Sequence, residues 1–280
     1  MFSPKYNREV LKHFSLGIFF SLFFSLFLNA QDPTYSPEIA PKGHLAAHAH
    51  NDYEHKLPLW EALSHGFNSL EADTWYLEGQ LYVKHFKPLK LKKAPLLSEL
   101  YLIPLAKILR AKEGKLYPNI EDPFFLMIDI KNEAEASYNK LKTLLKAYED
   151  LLKGPNPALK IFLSGNRPID LILKDTAYHF LSLDGRPEDL GKGYKADVMP
   201  VISQRFSKII SWKGKSPISE EDFNSLKKLA NSCKAEGKKL RLWASPETEL
   251  CWETLLDAGV DLINTDKLAE LEVFLNKRGK

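Results

Sequence analysis

The stretch Phe-Phe-Leu-Met-Ile-Asp-Ile, residues 124–130, decides the fold of this chain. It is an apolar run bounded by Pro123 and by the charged Lys131, and this pattern predicts a strand. Working outward in both directions, short apolar runs alternate with segments of helical spacing. The predicted strands are residues 45–48, 69–75, 81–83, 124–130, 161–163, 180–183, 198–202, 240–243 and 262–263. The predicted helices are residues 58–64, 96–109, a segment that ends at 152, 168–173, 219–234, 247–258 and 267–276.

The number and order of these elements predict a barrel. Eight strands alternate with helices, and residues 81–83 form a hairpin with 69–75 through Gly79. A length of about 250 residues in this pattern is usual for a (β/α)8 barrel. The alternative is a doubly wound open sheet, but no glycine-rich phosphate loop follows the first strand. We therefore predict one (β/α)8 TIM barrel domain over residues 31–280, with the helix 96–109 interrupted or kinked at Pro104.

The first thirty residues have a different pattern. Residues 1–13 are polar and basic, residues 14–28 are almost wholly apolar, and Ala30 supplies a small residue before a polar segment. This order is typical of a secretory signal peptide. The alternative, a transmembrane anchor, needs about 20 apolar residues, which is longer than this run. We expect cleavage near Ala30, with residues 1–30 as the signal peptide, and a secreted or periplasmic protein.

The composition narrows the class of protein. Hydrophobic residues make up 44% of the chain and charged residues 27%, which excludes a disordered or coiled-coil protein. The formal net charge is +3, and two of these charges lie in the first thirty residues. The remainder is too weakly basic for a dedicated nucleic-acid binder, so we expect no nucleic-acid partner. Two cysteines, Cys233 and Cys251, exclude a disulfide scaffold and leave a single disulfide open.

Three carboxylates fall near the carboxyl ends of strands, where barrels of this class carry their chemistry. Glu71 and Asp73 close the second strand, and their spacing places both on one face. Asp129 lies near the end of the strand 124–130. Any one of them alone is as readily explained by a salt bridge, but a buried acid pair is costly without cationic compensation. Together, without cysteine partners, they suit a hard divalent cation, Mg²⁺ or Ca²⁺.

Two histidines belong to the same end of the predicted barrel. His50 ends the first strand and His85 follows the hairpin. Flanking a metal, such a pair suits acid–base chemistry on a phosphoryl group, because one histidine can deprotonate the attacking oxygen while the other protonates the leaving oxygen. The polar residues at later strand ends are Asp184, Ser203, Trp243, Asn264 and Asp266.

Several short segments share, in order along the chain, the motifs of one superfamily. They are HNDY (50–53), LEAD (70–73), LYVxH (81–85), IDIK (128–131), LWAxP (242–246) and GVDxINTD (259–266). These segments resemble the glycerophosphodiester phosphodiesterase-like superfamily. The branch that they resemble most is the fungal altered-inheritance-of-mitochondria type and its bacterial relatives. The resemblance covers nearly all of the chain after residue 30.

The resemblance implies a TIM barrel of the PLC-like phosphodiesterase type. Carried over onto the matching positions, it makes His50 and His85 the catalytic pair. It makes Glu71, Asp73 and Asp129 the ligands of one divalent cation, Mg²⁺ or Ca²⁺. The implied substrate is a phosphodiester small molecule or a phospholipid.

The resemblance also implies three substrate-binding residues. Lys131 would contact the phosphate and Trp243 would form a wall of the pocket. Asn51 stands where the glycerophosphodiesterases usually carry the arginine of a His-Arg-Gly motif, and it is a weaker hydrogen-bond donor to phosphate. Asp129 replaces their usual Glu, and its spacing to Lys131 is more like the sphingomyelinase D branch. These departures bear on the substrate more than on the reaction type.

Two alternatives to an exported metal-dependent phosphodiesterase stay open. His48 and His50 form an H-x-H at a strand end, as in metal-dependent amidohydrolase barrels. That class needs two more histidines on the middle strands, and after His85 the sequence contains only His179. The other alternative is a barrel without activity that binds a phosphorylated ligand or lipid.

Five lysines alternate with apolar residues directly around and after His85. They are Lys84, Lys87, Lys90, Lys92 and Lys93, interleaved with Phe86, Leu89 and Leu91. The favoured interpretation is a solvated loop. The alternative is an active-site rim that docks on anionic lipid, which would give the protein a peripheral membrane contact.

Overall fold

Nine strands form the sheet of this protein, which a computed structural model describes over residues 38–178 and 180–279. They are β1 (His44–Ala49), β2 (Phe67–Leu77), β3 (Gln80–Val83), β4 (Phe124–Ile130), β5 (Leu159–Gly165), β6 (Leu181–Gly185), β7 (Val201–Arg205), β8 (Lys239–Trp243) and β9 (Leu262–Thr265). β1 pairs in parallel with both β2 and β9, which closes eight strands into a ring. β3 pairs antiparallel with the end of β2, as the predicted hairpin. The predicted (β/α)8 barrel is confirmed.

Helices connect the parallel strands. The α-helices are α1 (Trp60–Ser64), α2 (Ile103–Ala111), α3 (Ala134–Leu145), α4 (Glu149–Leu152), α5 (Ile169–Lys174), α6 (Glu220–Ala235), α7 (Glu249–Asp257) and α8 (Leu268–Arg278). Short 3₁₀ segments are Asp52–Glu54, Leu91–Lys93, Lys146–Tyr148, Thr176–Tyr178, Pro187–Asp189 and Phe206–Lys208. Cys233 in α6 and Cys251 in α7 are both buried free thiols, so the disulfide that the sequence left open is not formed.

The amino-terminal signal predicted for residues 1–30 lies outside the described residues. In the part of the chain that the structure covers, no helix is both long and apolar enough to cross a membrane.

The predicted helix 96–109 is irregular next to its proline. A wide π turn, Ser98–Leu102, precedes α2, and Pro104 is the second residue of that helix. Proline has no N–H to donate, and the first turn of a helix is where a missing donor costs nothing. The helix is therefore interrupted beside its proline, as predicted, and the regular α-helix begins at Ile103.

The start of β7 also differs from its prediction at residue 198. Val198 and Met199 donate their N–H groups to the Lys195 carbonyl in a turn, at 3.1 and 2.9 Å. Pro200 follows and has no N–H for a sheet ladder. The strand consequently begins at Val201, three residues later than predicted.

A small apolar cluster lies on the same face of β4 as Asp129. It consists of Phe125, Met127, Phe162, Val201 and Leu262. Alternate residues of a strand share a face, so Asp129 is the next residue after Phe125 and Met127 on this face of β4. The parallel register sets Asp129 opposite Asp73 of β2 and Ser164 of β5. The change from apolar to polar side chains along β4 thus fixes where the candidate site begins.

Candidate active site

Three carboxylates converge at the carboxyl ends of β2 and β4. Glu71 and Asp73 share a face of β2 because they are two residues apart, and the register places Asp129 beside Asp73. One oxygen atom from each carboxylate lies within 4.8 Å of the other two. Glu71 and Asp73 are buried, and Asp129 is partly buried. The structure therefore brings the three predicted metal ligands together.

Two cationic side chains pair with these carboxylates. Arg241 of β8 donates to Oε2 of Glu71 at 2.6 Å, and both side chains are buried. Burial by itself would raise the pKa of Glu71, but the Arg241 guanidinium, with help from His48, lowers it to about 2. Lys131 Nζ lies 2.8 Å from Oδ2 of Asp73 and 3.0 Å from Oδ1 of Asp129. Glu71 is thus held as a carboxylate across the barrel interior.

The charge and donor set of this cluster fit a divalent cation. Three carboxylates face two cations, which gives the cluster a net charge of −1. Oδ1 of Asp73 is buried without a hydrogen-bond partner among the described residues. Burial raises the pKa of Asp129 to about 6; Lys131 opposes this rise, whereas the neighbouring carboxylates add to it. An unpaired oxygen and crowded carboxylates suit a hard ion such as Mg²⁺ or Ca²⁺.

His50 follows β1 directly and is held by a carboxylate from the last strand. Its Nδ1 lies 2.8 Å from Oδ1 of Asp266, the residue after β9. Burial lowers the pKa of His50, but the hydrogen bond to Asp266 and the nearby Glu71 charge outweigh it, so that the pKa is raised above 6.5. With Nδ1–H donated to Asp266, Nε2 is the nitrogen that can exchange a proton with a substrate.

His85 lies beyond the end of β3 and approaches the carboxylates from the hairpin. Its Nδ1 is 3.0 Å from Oδ2 of Asp73 and 3.2 Å from the hydroxyl of Tyr53. That hydroxyl is also 2.7 Å from Oδ2 of Asp73 and 2.9 Å from Oδ1 of Asn51. Asn51 has a left-handed backbone, φ 46° and ψ 43°, which Asn tolerates better than most residues. The structure therefore joins Asn51 and His85 to Asp73 through one tyrosine.

His48, the other histidine of the H-x-H pair, is fully buried. Its Nδ1 is 2.7 Å from the Ser69 hydroxyl, and its Nε2 is 3.7 Å from Oε2 of Glu71. Burial, followed by the positive charge of Arg241, lowers the pKa of His48 to about 4. His48 is therefore a buried, neutral histidine beside Glu71.

Trp243 lies at the end of β8, farther along the same strand as Arg241. The Arg205 guanidinium lies 5.4 Å from the centre of its ring, a cation–π contact. The indole is partly exposed. Its predicted role as a pocket wall stays a prediction.

The amino-terminal half of the chain matches a known family over the residues that supply most of this site. The match is to the AIM6-like phosphodiesterase domain and covers residues 36–184. The chain belongs to this family. The matched segment contains both candidate catalytic histidines and all three carboxylates, whereas Trp243 lies outside it.

Curated relatives of this AIM6-like domain come from fungi. "Altered inheritance of mitochondria protein 6" of Kluyveromyces lactis is 26% identical, over 87% of this chain and 73% of the relative. The "Altered inheritance of mitochondria protein 6 homolog" of Arthroderma benhamiae is 25% identical, over 79% of this chain and 81% of the relative.

Two solved phosphodiesterase structures have a fold similar to that of this chain. A glycerophosphodiester phosphodiesterase from Parabacteroides distasonis superposes with a TM-score of 0.53 at 15% identity, covering 85% of this chain and 100% of its own. A putative glycerophosphoryl diester phosphodiesterase from Silicibacter pomeroyi gives a TM-score of 0.54 at 14% identity, covering 85% and 96%. At these identities the likeness supports the barrel fold of the AIM6-like domain.

Arg241 is the side chain of the site that is hardest to single out from the sequence. It lies inside the five-residue strand KLRLW, where a single charged residue is most often solvent-facing. The signal that could have found it is its i, i+2 spacing to Trp243, which places both on one face of β8. Asp266 and Tyr53 stand within recognised motifs, but their contacts with His50 and Asp73 depend on the three-dimensional structure.

Replacing Arg241 by Gln should lower the free energy of unfolding by about 3–5 kcal/mol, because it leaves a buried carboxylate without its partner. In the wild type the pKa of Glu71 lies below its ordinary value of 4.5, so Glu71 stabilises the fold above that pH and loses this contribution as the pH falls through about 2. In Arg241→Gln the burial of Glu71 dominates and raises the pKa of the Glu71 carboxyl. Protonation then relieves the unpaired charge, and the difference from wild type should shrink below about pH 5.

Urea denaturation at neutral and acidic pH measures this difference. Arg110→Gln is the matched control, since Arg110 pairs with Asp150 at 2.8 Å on the surface and should contribute little. An equal loss of unfolding free energy in the two variants, or a loss in Arg241→Gln that does not change with pH, would contradict the proposed role of the buried pair.

Proposed function

We propose that this AIM6-like domain is a metal-dependent phosphodiesterase that cleaves a glycerophosphodiester or a phospholipid head group. The observation that carries the proposal is the convergence of two carboxylate-held histidines on a three-carboxylate cluster at one end of the barrel. The family description and the phosphodiesterase fold of the solved structures support the reaction class.

The proposed cation site consists of Glu71, Asp73 and Asp129. A bound divalent cation would offset negative charge on the phosphodiester oxygens and change the net charge of the cluster from −1 to +1. Lys131, which is included in this sum, is partly exposed and can contact the phosphodiester directly. A phosphodiester carries one negative charge, so the loaded site would attract it.

The two histidines would move the protons of the reaction. One of His50 and His85 accepts the proton of the attacking hydroxyl as the new P–O bond forms. The other donates a proton to the alcohol oxygen as the old P–O bond breaks. The attacking group is either water or a neighbouring hydroxyl of the substrate, and in the second case a cyclic phosphate forms first. Asp266 and Asp73 hold the two rings through Nδ1, which presents Nε2 of each ring for proton transfer.

Turnover should require both a divalent cation and the two histidines. We expect hydrolysis of bis(p-nitrophenyl) phosphate or glycerophosphocholine to disappear with EDTA and return with Mg²⁺ or Ca²⁺. His50→Ala and His85→Ala should each lower kcat by about 100- to 10,000-fold with an unchanged circular dichroism spectrum. His65→Ala is the control. The Nδ1 atom of His65 lies 2.7 Å from Oε2 of Glu272, and neither residue belongs to the carboxylate cluster.

Wild-type rates in both histidine variants would refute the catalytic assignment. No divalent-dependent turnover of these two diesters or of phospholipid would instead favour a barrel that binds a phosphorylated ligand without cleaving it.

Asp266 acts in this proposal as a positioning residue for His50. Asp266→Asn removes the negative charge that raises the pKa of His50, so the limb of the pH–rate profile that reports His50 should move to lower pH. We expect kcat to fall at least about 10-fold as well, since the ring loses its orienting carboxylate. Glu272→Gln, which changes the comparable pair with His65, should leave the profile unchanged. A profile that is identical in Asp266→Asn and wild type would exclude this role.

We also propose that the protein is exported, with cleavage near Ala30. The support is the order of basic, apolar and small residues in the first thirty positions. Amino-terminal sequencing of the protein recovered outside the cytoplasm should begin near Gln31. Recovery only of intact chains that begin at residue 1 would contradict it.

A further inference from the structure

An eleven-residue loop, residues 84–94, leaves the hairpin beside the candidate site, and we call it the basic loop. Its ends are joined, because the Val83 N–H donates to the Pro95 carbonyl at 2.8 Å and Tyr82 forms a bridge with Leu96. A surface loop closed at its base in this way is an Ω-loop, which is often a functional element. The proposed reaction uses only His85 from it.

All five lysines of the basic loop are exposed. They are Lys84, Lys87, Lys90, Lys92 and Lys93. The sequence contains no Asp or Glu between Gly79 and Ser98. Within residues 38–178 and 180–279, no ion pair involves any of these lysines. The loop therefore presents five positive charges that the described part of the protein does not neutralise.

Two large apolar side chains of the basic loop also face solvent. Leu89 is 98% exposed and Phe86 is 76% exposed. The next most exposed large apolar residue in the described chain is Ile103, at 54%. Exposing such side chains to water is unfavourable, so their place among lysines indicates a partner that takes up both charge and apolar surface.

The basic loop is adjacent to the candidate catalytic groups. The Phe86 ring packs edge-on against His85, with 4.6 Å between ring centres. His85 in turn lies 3.0 Å from Asp73, and the Lys84 N–H donates to the Asp73 carbonyl at 3.1 Å. Any surface that binds the basic loop is therefore placed next to His85 and the candidate active site.

We propose that the basic loop docks this protein on the surface of an anionic phospholipid bilayer. The lysines lie against lipid phosphates, while Leu89 and Phe86 enter the boundary between head groups and acyl chains. Charge complementarity selects an anionic surface, and the exposed aliphatic Leu89 favours a bilayer over a nucleic acid, which offers it no apolar layer. Presentation of a membrane phosphodiester to His85 rests on the proposed function, whereas docking itself does not.

Docking of this kind has a defined dependence on charge and salt. Each lysine near an anionic membrane contributes about a 5-fold gain in affinity, so three lysines contribute about 100-fold. Salt screens this part of the interaction and leaves the apolar part in place.

The experiment compares two charge-matched triple variants of the full chain. Lys87→Gln/Lys90→Gln/Lys92→Gln changes the basic loop, and Lys227→Gln/Lys228→Gln/Lys234→Gln removes three exposed charges from α6. Each is measured by flotation with vesicles of phosphatidylcholine alone and of phosphatidylcholine with phosphatidylglycerol, at low and high salt. We expect the loop triple to lose about 100-fold in affinity for the anionic vesicles, and the α6 triple to match wild type.

A second pair of variants tests the apolar part. Leu89→Ser should lower vesicle affinity at high salt, whereas Val273→Ser, at a residue of α8 that is 51% exposed, should not. Because none of these residues belongs to the candidate catalytic machinery, turnover of a water-soluble diester should be unchanged in all four proteins. The turnover assay thus distinguishes a loss of membrane docking, which leaves turnover unchanged, from a failure of the proposed activity.

Equal vesicle affinity of the loop triple and the α6 triple would overturn the proposal. So would equal affinity of the wild type for neutral and anionic vesicles. Absence of vesicle binding, together with binding to a polyglutamate surface that the loop triple loses, would overturn it in favour of an acidic protein partner.

Discussion

Glu71 and Arg241 form a buried ion pair that joins β2 to β8 across the barrel. Two charges can stay in such a place only when each compensates the other. The pair keeps Glu71 ionised next to Asp73 and Asp129, so this carboxylate is available to the site at neutral pH. The residues of β4 and β5 that are in register with Glu71 are the apolar Met127 and Phe162. The chemistry of the site thus depends on one contact between residues 170 positions apart in the sequence.

The barrel could be predicted because its signals are local. The run 124–130 forms β4 with the expected bounds, and Glu71 and Asp73 share a face through their spacing alone. Two prolines determine where β7 and α2 begin. Pro200 delays the start of β7, and Pro104 is accommodated in the first turn of α2. Both effects follow from the missing N–H of proline. Where the strand or helix begins also depends on the neighbouring turn, and the spacing of apolar residues does not predict that turn.

The contacts that hold the site together could not be predicted in the same way. His50 contacts Asp266 because β1 pairs with β9 when the ring of strands closes. The sequence does not show directly that the first and last strands pair. The contact of the Tyr53 hydroxyl with Asp73 is a second example, since nothing in the spacing of these two residues along the chain places them together. Spacing along the chain and the family resemblance predicted which residues to look for near the site, whereas pairing between strands determines what each of them touches.

The two candidate catalytic histidines are carried by different kinds of structure. His50 follows β1, which is part of the closed ring, whereas His85 follows β3, a strand attached to the outside of that ring through β2. Replacing β3 and the basic loop would leave every pairing of the eight-stranded ring intact. One half of the site is therefore tied to the stability of the fold, and the other half is a separable module. Evolution or a protein engineer can exchange that module to change which substrate is reached without rebuilding the barrel.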